Sequence, residues 1–128
     1  MADADVVEYI SKEVPEGSSA LLTCIIRDEL GVAVPVGSIS TLKATLYDLL
    51  DATAIINSRD HQNVKNANDG TVDANGNFAL QLRDVDNPVL HPTERFEWHV
   101  LLVEWTWGTG RGSRKELRFK VRNLGLVP

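Results

Sequence analysis

Two connector segments constrain the fold of this chain more than any other feature. The first is Asp28-Glu29-Leu30-Gly31-Val32-Ala33-Val34-Pro35-Val36, and the second runs from Gly70-Thr71-Val72-Asp73 through Ala74-Asn75-Gly76-Asn77 to Phe78-Ala79-Leu80-Gln81-Leu82. Each sets an Asp and a Gly between apolar runs. An Asp side chain can accept a hydrogen bond from the backbone two residues on, and Gly reaches positive φ at little steric cost, so such segments reverse a chain between β-strands.

The runs that flank these connectors carry strand periodicity. Ala20 to Arg27 is apolar enough to predict a strand buried on most of both sides. Over Ile39 to Leu50, Leu42, Ala44 and Leu46 alternate with Lys43, Thr45 and Tyr47. Leu42, Leu46, Leu49 and Leu50 would also line a helix, but the Thr and Tyr content favours strand. Ala54 to Ser58 reads as a short strand and Arg59 to Asn75 as a polar loop with Val64 as an apolar pin. Phe78, Leu80 and Leu82 point one way and Ala79, Gln81 and Arg83 the other. Pro88 and Pro92 keep 84–93 out of any central strand. Phe96 to Trp107 is the longest β-run, with His99, Leu101, Val103, Trp105 and Trp107 on one face and Phe96, Trp98, Val100, Leu102 and Glu104 on the other. After a Gly-rich hairpin loop over 108–115, Leu117, Phe119 and Val121 alternate with Glu116, Arg118, Lys120 and Arg122. Val6 to Ile10 is compatible with a strand or one helical turn and closes a short N-terminal arm of about residues 1–13. The expectation is one all-β domain over 1–128, an antiparallel sandwich of about seven strands.

A chain of 128 residues is near the modal domain size. Its net charge of −5 argues against nucleic acid as a partner, because nucleic-acid readers present a basic face. No stretch approaches the ~18 apolar residues of a membrane span, so no membrane partner is expected. The opening residues Met1-Ala2-Asp3-Ala4-Asp5 are acidic and unlike a signal peptide, and Cys24 is the sole cysteine. Both point to folding in a reducing cytoplasm without an intrachain disulfide.

Four constellations bear on chemistry. Asp73, Asn75 and Asn77 stand at alternate positions, as in a calcium loop, but Phe78 replaces the required Gly and no Glu occupies the closing position, so a turn is expected. His61, His91 and His99 show no metal-ligand spacing, and no nucleophile motif accompanies them. No metal, cofactor or catalytic residue is expected. The segment Gly108-Thr109-Gly110-Arg111-Gly112-Ser113-Arg114-Lys115 joins two strands and does not open a helix, which separates it from a phosphate-binding loop. It is expected to be a mobile tip whose Arg111, Arg114 and Lys115 can contact an acidic partner protein. Trp105 and Trp107 share a face and are either core or contact rings for a partner.

The combination resembles phage-encoded immunoglobulin-like virion proteins over about residues 14 to 124. The likeness rests on Val14-Pro15-Glu16-Gly17, Asp28-x-x-Gly31-x-x-Val34-Pro35-Val36, Asp73-x-x-Gly76-x-Phe78-x-Leu80-x-Leu82, Glu97-x-His99 leading into Glu104-Trp105-Thr106-Trp107, and Leu117-x-Phe119-x-Val121-x-Asn123-Leu124. It implies an immunoglobulin-like sandwich acting as a non-enzymatic structural component of a tailed-phage particle, at the neck, tail or capsid surface. Partners would be other virion proteins or copies of itself, as a homo-oligomer. The protein would fold in the host cytoplasm and end in the virion. The alternative is a carbohydrate- or surface-binding module using Trp105 and Trp107.

Overall fold

The computed structural model describes residues 7–126. The strands are β1 (Val7–Tyr9), β2 (Val14–Pro15), β3 (Ala20–Ile25), β4 (Ile39–Asp48), β5 (Asp51–Ile55), β6 (Gln62–Asn63), β7 (Gly70–Val72), β8 (Asn77–Leu82), β9 (Phe96–Trp107) and β10 (Arg111–Arg122). Single turns of 3-10 helix sit at Val36–Ser38, Asp84–Asp86 and Leu124–Leu126, and there is no α-helix among the described residues. The all-β expectation holds. β1, β2 and β6 are short pieces added to seven principal strands.

The larger sheet has the order β1-β10-β9-β4-β5, with β2 also on β10 and β6 on β4; the smaller has the order β3-β8-β7. β1 and β2 run parallel to β10, a departure from a purely antiparallel sandwich. β9 and β10 form a long hairpin paired from Arg111↔Trp107 to Arg122↔Phe96. β4 runs antiparallel along the other side of β9, and the β4 segment left ambiguous by its leucines is strand.

One core joins the two sheets, which makes the fold a β-sandwich. Leu22, Phe78, Leu80 and Leu82 of the smaller sheet meet Leu42, Leu46, Leu101, Val103, Leu117, Phe119 and Val121 of the larger. Phe78 is 1% exposed and Leu80, Leu82, Leu117, Phe119 and Val121 are 0% exposed, as their alternation predicts. Each such side chain contributes about 1.5–3 kcal/mol by leaving water. Val64 is also fully buried and donates its N–H to Leu42 O at 2.9 Å, so it pins the polar segment that follows β5.

The connectors behave as their chemistry requires. Asp28 accepts hydrogen bonds from the N–H groups of Leu30 and Val32, and Gly31 takes φ 81°. Asp73 accepts from Asn75 N, Asn77 N and Asn77 Nδ2, and these bonds, the Asn77 side chain foremost, hold its carboxyl below the usual range. Gly76 has φ 74°, and a Cβ there would lie 2.9 Å from Val34 O, so the second connector nests against the first only because this residue has no side chain.

Four expectations need correction. β3 alternates and is not buried on both sides: Leu21 is 60% and Ile25 36% exposed, because the outer face of the smaller sheet meets solvent. The strand expected at 54–58 lies at Asp51–Ile55 and stops where Asn57 and Ser58 adopt positive φ. The region 59–75 is not all loop, since it contains β6 and β7. The hairpin turn is Gly108 to Gly110 alone, with φ 61° and 68° at its glycines, and Arg111 to Lys115 already belong to β10.

Candidate functional site

The outward row of β9 carries Phe96, Trp98, Val100 and Leu102, the parity opposite to the core row. Register sets Arg122, Lys120, Arg118 and Glu116 of β10 beside these four in turn. On the far side Tyr47 of β4 pairs with Val100, and at the edge Tyr9 of β1 pairs with Arg118. Four strands thus lay aromatic rings and cations in adjacent rows on one face.

The rings and cations touch. Tyr9 and Trp98 meet edge to face, with centroids 5.4 Å apart and planes at 86°. The Arg118 guanidinium lies 5.5 Å from the Tyr9 ring and donates to Tyr9 Oη at 3.0 Å and to Glu116 Oε1 at 3.0 Å. Lys120 Nζ stands 4.3 Å above Phe96 and 5.2 Å from the Trp98 ring centre. Each cation–ring contact contributes about 0.5–1 kcal/mol at an exposed site. Together they cover Val100, which is 0% exposed although it points away from the core. Tyr9 and Phe96 remain 59% and 41% exposed.

Phe96 and Trp98 also form one wall of a cleft of about 740 Å3. Its other walls are Leu49 and Leu50 of the β4–β5 turn and the segment Leu90 to Arg95. That segment is strapped down from below. Glu97 accepts hydrogen bonds from Leu90 N and His91 N at 2.9 Å each, and its Oε2 lies 2.6 Å from His99 Nε2. His91 Nε2 lies 2.6 Å from Asp48 Oδ2, and Asn123 donates to Pro92 O and Glu94 O. Burial pushes the His99 imidazole below its ordinary pKa despite Glu97, so the ring is neutral and donates from Nε2. The hydrogen bond to Asp48 pushes His91 the other way, upward. His99 Nδ1 is buried with no partner among the described residues.

A second buried cluster ties the turn at 84–86 to the segments 57–69. Arg59 is 4% exposed and donates from Nε and Nη2 to the two carboxylate oxygens of Asp86 at 2.8 and 2.9 Å. It also donates to Asp69, Gln62 Oε1 and Asn68 O. Burial raises the Asp86 pKa, but hydrogen bonds from Arg59, Asn57 and the Arg83 N–H outweigh it and leave the carboxyl below its ordinary range.

The residues singled out as partner contacts lie elsewhere. Trp105 and Trp107 are core residues at 5% and 6% exposed, and Trp105 Nε1 donates to Arg27 O at 2.9 Å. Arg111 pairs with Glu29 and lies 5.4 Å from the Trp107 ring centre; Arg114 Nη1 is 4.0 Å from Glu104, and Lys115 Nζ is 2.9 Å from Glu8. The three cations lie along β10 and not in the turn itself, and each faces an acid of this chain. Cys24 is buried, and burial pushes its thiol up to about 12, far from the reactive range. The aromatic face was legible in the sequence as the opposite parity of 96–107, once parity was read for exposure and not only for core. Arg59 and Asp86 carried no signal, because they stand 27 positions apart in irregular segments.

Comparison of the chain with protein-family models, with curated proteins and with solved structures finds no match.

Proposed function

We propose that this protein is an immunoglobulin-like sandwich that works as a non-enzymatic structural component of a tailed-phage particle, docking on another virion protein through the outer face of its larger sheet. The immunoglobulin-like assignment is supported by strand order. The sequence β10-β9-β4-β5 in one sheet against β3-β8-β7 in the other, with the chain crossing between sheets after β2, β3, β6 and β8, follows the variable-type arrangement. The β1 and β2 pieces beside β10 complete the larger sheet.

The observation that carries the docking reading is the run of Tyr9, Phe96 and Trp98 under Arg118 and Lys120, continuous with the cleft behind Leu90. Aromatic rings framed by cations are the groups that anchor protein contacts. A carbohydrate platform would need open ring faces. Here Lys120 and Arg118 already lie over the rings of Phe96 and Tyr9, and the tryptophans first weighed for stacking, Trp105 and Trp107, are in the core.

The test uses tailed-phage particles assembled without this protein. The wild-type chain should bind them at saturable sites, and the double variant Phe96→Ser with Lys120→Glu should bind at least tenfold more weakly while its circular dichroism is unchanged. Failure of the wild type to bind, or equal binding by the variant, would overturn the docking reading.

A further inference from the structure

A sheet edge exposes unpaired backbone groups, and folded proteins blunt such edges with charge, proline, bulges or brevity. Three of the edges here are blunted in this way. The β1 and β2 edge is broken into two short pieces and carries Pro15; β5 begins with Asp51; β7 has three residues. β3 differs from all of them. It has six residues, Ala20-Leu21-Leu22-Thr23-Cys24-Ile25, with no charge and no proline, and it pairs with β8 in unbroken register. Among the described residues β8 is its sole strand partner. Leu21 and Ile25 stand on its solvent face, 60% and 36% exposed, with Thr23 exposed between them.

We infer that the β3 edge is a self-association site, where a second copy of this chain adds its own β3 antiparallel across a two-fold axis at Thr23. The partner is identified by self-complementarity. With Thr23 opposite Thr23 of the second copy, Leu21 falls opposite Ile25 and Ile25 opposite Leu21 on the solvent face. On the core side Leu22 falls opposite Cys24. At the margin Arg27 falls opposite Ser19, so no like charges meet across the axis. An isologous contact requires that the same strip serve both subunits, and this strip does. The product is one continuous six-stranded sheet, β7-β8-β3 joined to its two-fold mate. The chain carries a net charge of −5, yet the strip that would meet is neutral, so general repulsion is not focused where the strands join. This contact lies on the opposite sheet from the docking face, so it stands or falls separately from the particle-binding reading.

Sedimentation equilibrium of the full chain reads the association directly. The wild type should show a concentration-dependent monomer–dimer equilibrium. Thr23→Lys, which sets two cations against each other across the axis, should raise the dimer dissociation constant at least tenfold, and Thr71→Lys on β7 of the same sheet should leave it unchanged. Oxidation of Thr23→Cys should give a disulfide-linked dimer, because directly opposed strand residues lie about 4.5–5.5 Å apart at Cα, within disulfide reach. The buried thiol of Cys24 supplies no competing bridge. A wild type that stays monomeric to millimolar concentration overturns the inference. So does a Thr23→Lys variant that dimerises as tightly as wild type, or a Thr23→Cys variant that dimerises without cross-linking.

Discussion

Two polar clusters are buried in this sandwich, and they are stabilised in different ways. Around Arg59 and Asp86 the charges are fixed, and the guanidinium is bonded at all three nitrogens. Around Glu97 and His99 one partner is a neutral imidazole with Nδ1 unpaired, and the neighbouring His91–Asp48 contact is partly open to water. A buried ion pair is costly to desolvate but far costlier to break, because the survivor is left charged without a partner. A buried histidine can shed its charge and so tolerates an incomplete shell. The first cluster should therefore be the more sensitive to mutation, and the second should respond to pH nearer neutrality.

The sharpest way to break this contrast is Arg59→Met, which strands the Asp86 carboxylate at 0% exposure. Urea denaturation should show a loss of about 3–5 kcal/mol, and adding Asp86→Leu should restore a large part of it. A loss below ~1 kcal/mol would mean that the pair is cosmetic.

His99→Leu should cost less, about 1–3 kcal/mol, since Glu97 loses one hydrogen bond but keeps the N–H groups of Leu90 and His91. Its diagnostic effect is on the pH dependence of stability. The folded pKa of His99 lies below its ordinary 6.5, so as pH falls through about 6.5 the unfolded chain takes up a proton that the folded chain does not, and stability declines. The variant should lose that decline. Asp86 acts lower on the scale: its folded pKa lies below 3.8, so its contribution is present above that pH and disappears as pH falls through the folded value. Thermal melts at pH 7, 5.5 and 3.5 separate the two clusters.

The smallest effect belongs to His91→Gln. The folded pKa of His91 is raised by Asp48, so its contribution is complete below 6.5 and is lost as pH rises through the folded value, opposite in sign to His99. The substitution should lower the melting temperature slightly at pH 5.5 and by less as pH rises through the folded value, while hydrogen exchange of residues 90–95 speeds up. Unaltered exchange there would show that Glu97 and Asn123 alone strap the segment.

Much of the fold was legible because strand alternation is local. Phe78, Leu80, Leu82, Leu117, Phe119 and Val121 announce their core face at a spacing of two, and Asp28 with Gly31 and Asp73 with Gly76 announce the reversals. The misreadings share one cause. An apolar run such as Ala20 to Ile25 does not reveal whether its second face will be covered, and a Gly-rich run such as 108–115 does not reveal how many of its residues pair across a hairpin. Parity placed Trp105 and Trp107 on one face, as core or as contact rings, and only the position of the smaller sheet decides that this face lies inside.

The sequence by itself determined the secondary-structure class, the main turns and the inward residues of β8 and β10, since each depends on backbone preference and neighbours one or two residues away. The tertiary structure decided which sheet each strand joined, the meeting of Arg59 with Asp86 and of His91 with Asp48, the aromatic row shared by β1, β9 and β10, and the exposure of the β3 edge. Those features depend on contacts between residues far apart in the chain, and their spacing along the sequence carries no trace of them.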